Sequence, residues 1–286
     1  MRRTYSVVIP SYNSEQTIER CISSVLVQKF LPLEIVLVDN NSQDSTVSIA
    51  KSVFPSLTVI NINNRGIVAK SRNTGLNSVK SEYVCFLDSD DYWAPQKIEK
   101  SFSVIDNREI DIIFHNEYWV SEKNMKVKKY FFRHIDPFES LVCYGNSLST
   151  SAVMIRRQFL LKNQISFDEA RRKVGVEDYD LWCNLFLNKP LSIHINEPLG
   201  FFSMSNYSYS KKVRNFAVRS FLIQAQWLRR RSVRSEGTHF FRLVWKDPSV
   251  LRRLSMALKI RMLIKVLVGV YSYAKFSCRN LSVKNG

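Results

Sequence analysis

The sequence predicts an α/β protein: a mixed, mostly parallel, Rossmann-like sheet flanked by helices, then a basic, mainly helical appendage. Three observations predict it. Short β-branched runs alternate with helix-length amphipathic segments through the first hundred residues, the pattern of βαβ units. The fourth run opens Tyr83–Trp93, which reads Tyr-Val-Cys-Phe-Leu-Asp-Ser-Asp-Asp-Tyr-Trp. It is apolar throughout, as a strand buried on both faces should be, and it ends in Asp88, Asp90 and Asp91. The charge is also unevenly placed. Of the formal +17, residues 1–100 carry 11 Lys/Arg and 10 Asp/Glu, residues 101–200 carry 13 and 13, and residues 201–286 carry 18 and 2. A neutral body with a basic tail suggests chemistry in the body and a polyanion or anionic membrane at the tail, rather than a nucleic-acid binder.

Tyr5–Ile9 is the first strand, stopped by Pro10. Asn13 or Ser14 caps a helix over Glu15–Gln28, with Ile18, Ile22, Val25 and Leu26 on one face. Glu34–Val38 is the second strand, followed by a helix from Asp44-Ser45-Thr46 to Val53. Leu57–Ile60 is the third strand, with a turn at Asn64-Arg65-Gly66 and a helix from Ile67 to Ser78. After the fourth strand, Pro95 opens a helix through Ile105. Asp111–Phe114 and Ala152–Ile155 are strands, Val120–Arg133 is a hairpin or mobile loop, and Asp136-Pro137 opens a helix to Cys143. Glu177–Leu187 is a helix, and Leu191–Ile195 and Leu199–Phe202 are two closing strands.

The body is expected to span 1–205 and the basic region 206–286. In the tail, Val213, Phe216, Ala217, Phe221, Ala225 and Leu228 recur at helical spacing, and Leu251, Leu254, Leu258 and Met262 form a second stripe. Met262–Tyr273 is too short to span a bilayer but suits a helix lying in the interface. The apolar run at the N-terminus is far too short for a signal peptide. Five scattered cysteines without a C-x-x-C pair suggest buried thiols in a reducing, cytoplasmic setting. There is no G-x-G-x-x-G and no Walker lysine loop, which disfavours dinucleotide and P-loop enzymes.

Asp88, Asp90 and Asp91 sit just past a strand's C-terminal end, where open α/β sheets bind ligands. Clustered carboxylates repel one another and invite a hard divalent cation, Mn²⁺ or Mg²⁺, which commonly holds phosphates. The bare Asp-x-Asp pattern is weak: with 12 Asp in 286 residues it arises by chance about half a time, and Asp178-Tyr-Asp180 is a second match.

Four ordered blocks carry more weight. They are Val7-Val8-Ile9-Pro10-Ser11-Tyr12-Asn13; Glu34-Ile35-Val36-Leu37-Val38-Asp39-Asn40-Asn41-Ser42-Gln43-Asp44; Asn64-Arg65-Gly66 with Ala69-Lys70-Ser71-Arg72-Asn73-Thr74-Gly75; and Leu87-Asp88-Ser89-Asp90-Asp91. Together they resemble the family 2 glycosyltransferases, which have the GT-A fold. The resemblance covers residues 4–205. It implies a nucleotide-diphosphate sugar donor, usually uridine-based, and inverting transfer to a glycan or lipid-linked acceptor. Residue by residue, it implies that Pro10, Tyr12 and Asn13 lie against the base with Tyr12 stacked on it, and that Asp39 takes the imide proton. Arg72 would contact base or diphosphate, Asp88 the ribose or a metal-bound water, and Asp90 the metal bridging the diphosphate. Ser89 and Asp91 would complete the donor side, Asp91 from behind or facing the sugar. In Gly175-Val176-Glu177-Asp178, Asp178 would be the catalytic base and Glu177 a supporting or acceptor-binding acid. Trp93 could stack on an acceptor sugar or simply pack. Ser149-Thr150-Ser151 resembles the loop that lines the donor sugar, although small hydroxyls also suit an ordinary turn. Where many relatives carry arginine near the body's end, this chain has Ser203. No processive Gln-x-x-Arg-Trp element is present, so single-sugar addition to a surface-glycan precursor is expected, with the basic tail on the inner membrane face. Two rival classes are a sugar-1-phosphate nucleotidyltransferase, which would need a Gly-rich, Arg-containing loop after the first strand, and a non-enzymatic polyanion-binding protein, which leaves the four blocks unexplained.

Overall fold

Strand β1 (Tyr5–Ser11) is buried along its whole length, and the sheet grows outward from it. A computed structural model describes residues 3–105, 109–122, 124–132 and 136–204, with 219, 220, 222–224, 226 and 227 beyond them. Strands β2 (Glu34–Asp39), β3 (Thr58–Asn61) and β4 (Tyr83–Phe86) run parallel to β1. Strand β8 (Val153–Arg156) pairs antiparallel with β4 and with β6 (Ile112–Val120), so β6 points the same way as β4. Strand β9 (Ser192–Ser203) runs parallel to β6, and β5 (Tyr92–Trp93) closes that edge. The order is β3-β2-β1-β4-β8-β6-β9-β5, with β7 (Met125–Lys128) paired to β6. This is the mixed, mostly parallel sheet expected. The short antiparallel β5 was not expected, because two residues give no periodicity to read.

Alternation explains the two faces. Tyr5, Val7 and Ile9, with Ile35, Leu37, Tyr83 and Cys85, pack under helix α1 (Ile18–Leu26) and helix α4 (Lys97–Ser103) through Ile18, Cys21, Ile22, Val25 and Ile98. Each such side chain contributes roughly 1.5–3 kcal/mol by leaving water. On the other face, helix α3 (Val68–Ser78) comes so close to β1 that a Cβ at Gly75 would lie 2.2 Å from Val8 Cγ1. Cys21, Cys85 and Cys183 are buried free thiols.

Several boundaries differ from expectation, each for a local reason. Pro10 does not stop β1: it pairs with Val38 and is buried. The Val8 carbonyl accepts from Leu87, so the alternate residue Pro10 also turns its backbone toward β4. There the ladder has ended at Phe86, and the missing N–H has no partner to lose. Helix α1 begins at Ile18 behind a turn in which the Ser14 carbonyl accepts from Thr17 and Ile18, so neither Asn13 nor Ser14 caps it with a side chain. It ends at Leu26, and Gln28 is instead spent bridging Ser24, Ala94 and Ile98. The two closing strands are one, β9, whose register against β6 shifts around Asn116, the partner of Pro198. A bulge accommodates the proline inside a continuous strand. The polar stretch after Val120 is a hairpin, β6–β7. Asp136 caps helix α5 (Pro137–Tyr144), accepting from Phe138 and Glu139.

The chain divides into two compact units, Met1–Ile223 and Gln224–Gly286. The tail helices expected from spacing lie almost wholly outside the described residues.

Candidate active site

The ends of β1, β2 and β4 carry loops that are stitched together by short polar side chains. Asp39 closes β2 and is 1% exposed. Its carboxylate accepts from Ser11 Oγ at 2.8 Å, Ser42 Oγ at 2.6 Å and Ser42 N at 2.8 Å. That leaves about one of four acceptor positions open. Asn13 sits in the left-handed region at φ 48°; its N–H donates to Ser42 Oγ and its Oδ1 accepts from Gln43 N. Ser14 and Ser89 share a 2.8 Å hydroxyl contact that ties the β1 loop to the carboxylate turn. Tyr12 stands out from this rim, 57% exposed. An exposed tyrosine next in the chain to Ser11, which pins the Asp39 carboxylate, offers a surface for a flat, hydrogen-bonding ring.

The three aspartates are not equivalent. Asp91 is 1% exposed: it accepts from Ser151 Oγ at 2.7 Å and Ser203 N at 2.8 Å. Burial, then the neighbouring Asp90, push its proton affinity well above the usual carboxylate range. It anchors the turn from behind rather than facing a sugar. Asp88 is held by Arg72, whose Nη2 lies 2.7 and 3.0 Å from its two oxygens. Asp90 differs from both. Among the described residues no hydrogen bond or ion pair reaches its carboxylate beyond its own main chain, and burial with the nearby Asp88 charge raises its pKa to about 6. A half-buried acid with no ion pair among the described residues suits a divalent ion bound through one carboxylate and substrate phosphates. No group of three metal-ligating side chains occurs among the described residues.

Arg72 was expected to touch the base or the diphosphate. It is instead 5% exposed and joins two acid clusters, donating through Nη1 to Glu177 Oε1 at 2.9 Å. Burial opposes its charge, but Asp88 and Glu177 outweigh that and hold it protonated. Glu177 opens helix α7 (Glu177–Leu187) and also accepts from Gly175 N at 2.6 Å, where Gly175 adopts φ 84°. Glu177 is therefore buried and committed to Arg72, not presented to an acceptor. Its neighbour Asp178 is half-buried and meets only neutral donors, Asn146 Nδ2 at 3.0 Å and Tyr179 N at 2.7 Å. Burial and the adjacent Glu177 charge raise its pKa to about 7. Asp180, the third acid of that turn, is paired with Lys173 at 2.7 Å.

Two further expectations are corrected. Trp93 is 2% exposed; its indole N–H donates to the Ser151 carbonyl at 3.1 Å and the Lys97 ammonium lies 3.8 Å from its ring centroid. It packs, with no face for a sugar. Ser151 is likewise a buried hub, bonding Asp91, the Asp88 N–H, Trp93 and Lys97, rather than a lining residue. His115 is buried, its Nδ1 against the Asn116 carbonyl at 2.7 Å, and burial lowers its proton affinity. Sequence reasoning missed Arg20 and Asn146. Arg20, exposed on α1, donates to the Asp90 carbonyl at 3.0 Å and Ser203 Oγ at 3.1 Å and lies 4.3 Å above the Tyr92 ring. It therefore brings a cation to Ser203, where the arginine of many relatives is absent. Neither residue type nor spacing signalled it.

A GT-A-like sheet with paired acids on either side of a buried arginine defines a class, the nucleotide-diphospho-sugar transferases. The glycosyl transferase family 2 model matches residues 6–162, and the chain belongs to that family. The UDP-Glc:α-D-GlcNAc-diphosphoundecaprenol β-1,3-glucosyltransferase WfaP of Escherichia coli is 30% identical over 183 residues, 63% of this chain and 69% of that one. The crystal structure of S. aureus TarS 1–349 in complex with UDP superposes with a TM-score of 0.60 at 25% identity, over 79% of this chain and 69% of that one. Glucosyl-3-phosphoglycerate synthase from Mycobacterium tuberculosis, in complex with Mn²⁺, UDP and phosphoglyceric acid, shares the fold at 20% identity and a TM-score of 0.55, covering 82% of this chain and 81% of that one.

Proposed function

We propose that this glycosyltransferase moves one sugar from a UDP-sugar to a hydroxyl of a lipid-linked glycan precursor, with inversion at the anomeric carbon. The observation that carries the reading is the division of labour among five acids. Asp88 and Glu177 are ion-paired with Arg72 and Asp91 is fully buried behind the turn, whereas Asp90 and Asp178 are half-buried, have raised proton affinities and form no ion pair among the described residues. The TarS complex and the WfaP name supply the uridine nucleotide and the diphospholipid acceptor class.

In this reading Tyr12 stacks on the uracil and the open position of Asp39 accepts its N–H. Asp90 would hold Mn²⁺ or Mg²⁺, which would supply positive charge to the departing diphosphate. Arg72 fixes Asp88 under the donor and Glu177 under the acceptor, so both halves of the site share one rigid post. Asp178 accepts the proton of the attacking hydroxyl; a carboxylate with a pKa near 7 is a stronger base than an ordinary one and is still ionised above neutrality. Asn146 turns the Asp178 oxygens toward that hydroxyl. Among the described residues no helix is long and apolar enough to cross a membrane. The surplus charge of residues 201–286 supports a peripheral position on an anionic inner membrane face.

A panel of UDP-sugars assayed for Mn²⁺-dependent UDP release tests the reading. Release from at least one sugar is expected. Release of pyrophosphate from a nucleoside triphosphate and sugar-1-phosphate, with no turnover of UDP-sugars, would replace it with the nucleotidyltransferase.

A further inference from the structure

The β6–β7 hairpin carries an exposed apolar and basic surface whose only cation–ring contacts among the described residues set Lys126 and Lys128 over Trp119, at 5.8 and 5.1 Å. The segment Lys123-Asn124-Met125-Lys126-Val127-Lys128-Lys129 holds four lysines and no acid. All four residues of β7 are exposed. Met125 is 63% exposed, Val127 46% and Phe131 55%, three of the ten large exposed apolar side chains among the described residues. Lysines alone would serve to keep an edge strand from pairing with another chain, but that purpose does not call for exposed Met, Val and Phe beside them.

Register sorts the ribbon into two faces. Val127 pairs with Tyr118 and Met125 with Val120, so these four share one face, while Lys126 and Lys128 lie opposite Trp119 and Glu117 on the other. The apolar face does not end at the ribbon. Tyr118 stacks on Phe201 at 5.0 Å and Phe201 on Tyr92 at 4.4 Å, all half-buried, and Arg20 lies over Tyr92 at 4.3 Å. A continuous strip of half-exposed rings therefore runs from Met125 to the turn that carries Asp90. Because β6 points the same way as β4, the hairpin projects from the carboxylate end of the sheet.

We propose that this ribbon, Met125–Phe131, is an interfacial anchor that lies on an anionic lipid bilayer and sets the mouth of the site against it. The apolar face enters the headgroup boundary. Lys126, Lys128 and Lys129 supply the charge complement to acidic headgroups, their aliphatic stems spanning the edge of the strand. The proposal rests on reading the carboxylate end as the catalytic mouth, and it adds to the basic tail a contact made by the folded body itself.

The full-length protein should be co-floated with vesicles of phosphatidylcholine alone and with vesicles containing phosphatidylglycerol. Wild type should partition onto the anionic vesicles. Met125→Ser/Val127→Ser should lower that partition tenfold or more, and so should Lys126→Gln/Lys128→Gln/Lys129→Gln. All three proteins should keep the same melting temperature and the same vesicle-free rate of UDP release from the UDP-sugar panel with Mn²⁺. Wild-type partition in both variants would overturn the proposal and leave the tail as the membrane contact. Loss of partition in the lysine variant only would also overturn it, because the apolar face would then carry nothing. Absence of UDP release in wild type would instead count against the proposed function, with the vesicle result still deciding the ribbon.

Discussion

The two acid clusters on either side of Arg72 are built on the same plan and differ in what completes them. Each has one acid held by the guanidinium, Asp88 on the proposed donor side and Glu177 on the proposed acceptor side. Each has a neighbour that forms no ion pair among the described residues, Asp90 and Asp178 respectively. The third acid beside Asp88 and Asp90, Asp91, is buried behind the turn and adds to the negative charge pressed together there, whereas the third acid beside Glu177 and Asp178, Asp180, is neutralised by Lys173. The acceptor cluster has only neutral donors around Asp178, and its raised affinity is for a proton. The difference teaches that one arrangement can serve two chemistries. Crowded acids suit a divalent ion, whereas an acid whose neighbours are both paired, Glu177 with Arg72 and Asp180 with Lys173, suits a proton.

The largest expected effect breaks the acceptor side. Asp178→Asn should reduce transfer about 10²–10⁴-fold while leaving the donor KM within a factor of about two, read by steady-state kinetics. Wild-type turnover would remove Asp178 as the base. Arg72→Met breaks both sides at once. It strands Asp88 and buried Glu177 without their cation and should destabilise the fold by about 3–5 kcal/mol, read by denaturant unfolding. If the loss is under about 1 kcal/mol, Arg72 is not the shared post. Tyr12→Ala touches the donor side alone and should raise the donor KM roughly tenfold with little change in kcat, consistent with about 1–3 kcal/mol for stacking on a base.

The smallest effect sharpens the comparison through pH. Asp178 has an ordinary pKa near 3.8 and a folded value raised to about 7, so the folded state binds the extra proton between those values. Its contribution to stability is therefore most favourable at low pH and declines as pH rises toward 7, the opposite of a salt-bridged carboxylate. Asp178→Asn should raise the melting temperature more at pH 8 than at pH 5. The same titration predicts that kcat falls as pH drops below about 7. A flat kcat profile from pH 5.5 to 8 would contradict the assignment.

Much of the donor side was legible in the chain because it is local. β-branched runs mark β1 to β4, and the acids, Tyr12 and Asp39 follow directly from strand ends. The geometry that assigns their roles was not legible. Arg72 and Glu177 are 105 residues apart, and Asp91 and Ser151 are 60 apart, so no periodicity links them. That is why Arg72 was expected to face the ligand and is instead buried between acids. Trp93 beside an acid cluster has the composition of a sugar platform, but its indole N–H is spent on Ser151, and only packing shows that. Pro10 appears as a strand stop until the end of β4 reveals that its missing N–H would have had no acceptor. The basic tail was legible as charge, and its structure lies outside the described residues.

The central claim is that Asp90 and Asp178 hold different partners, a divalent ion with the diphosphate and an acceptor proton. Titration calorimetry of UDP, with and without Mn²⁺, against wild type, Asp90→Ala and Asp178→Asn tests it most directly. The account predicts that Mn²⁺ strengthens UDP binding at least tenfold in wild type and in Asp178→Asn, and not in Asp90→Ala. Equal Mn²⁺ enhancement in all three proteins would contradict it.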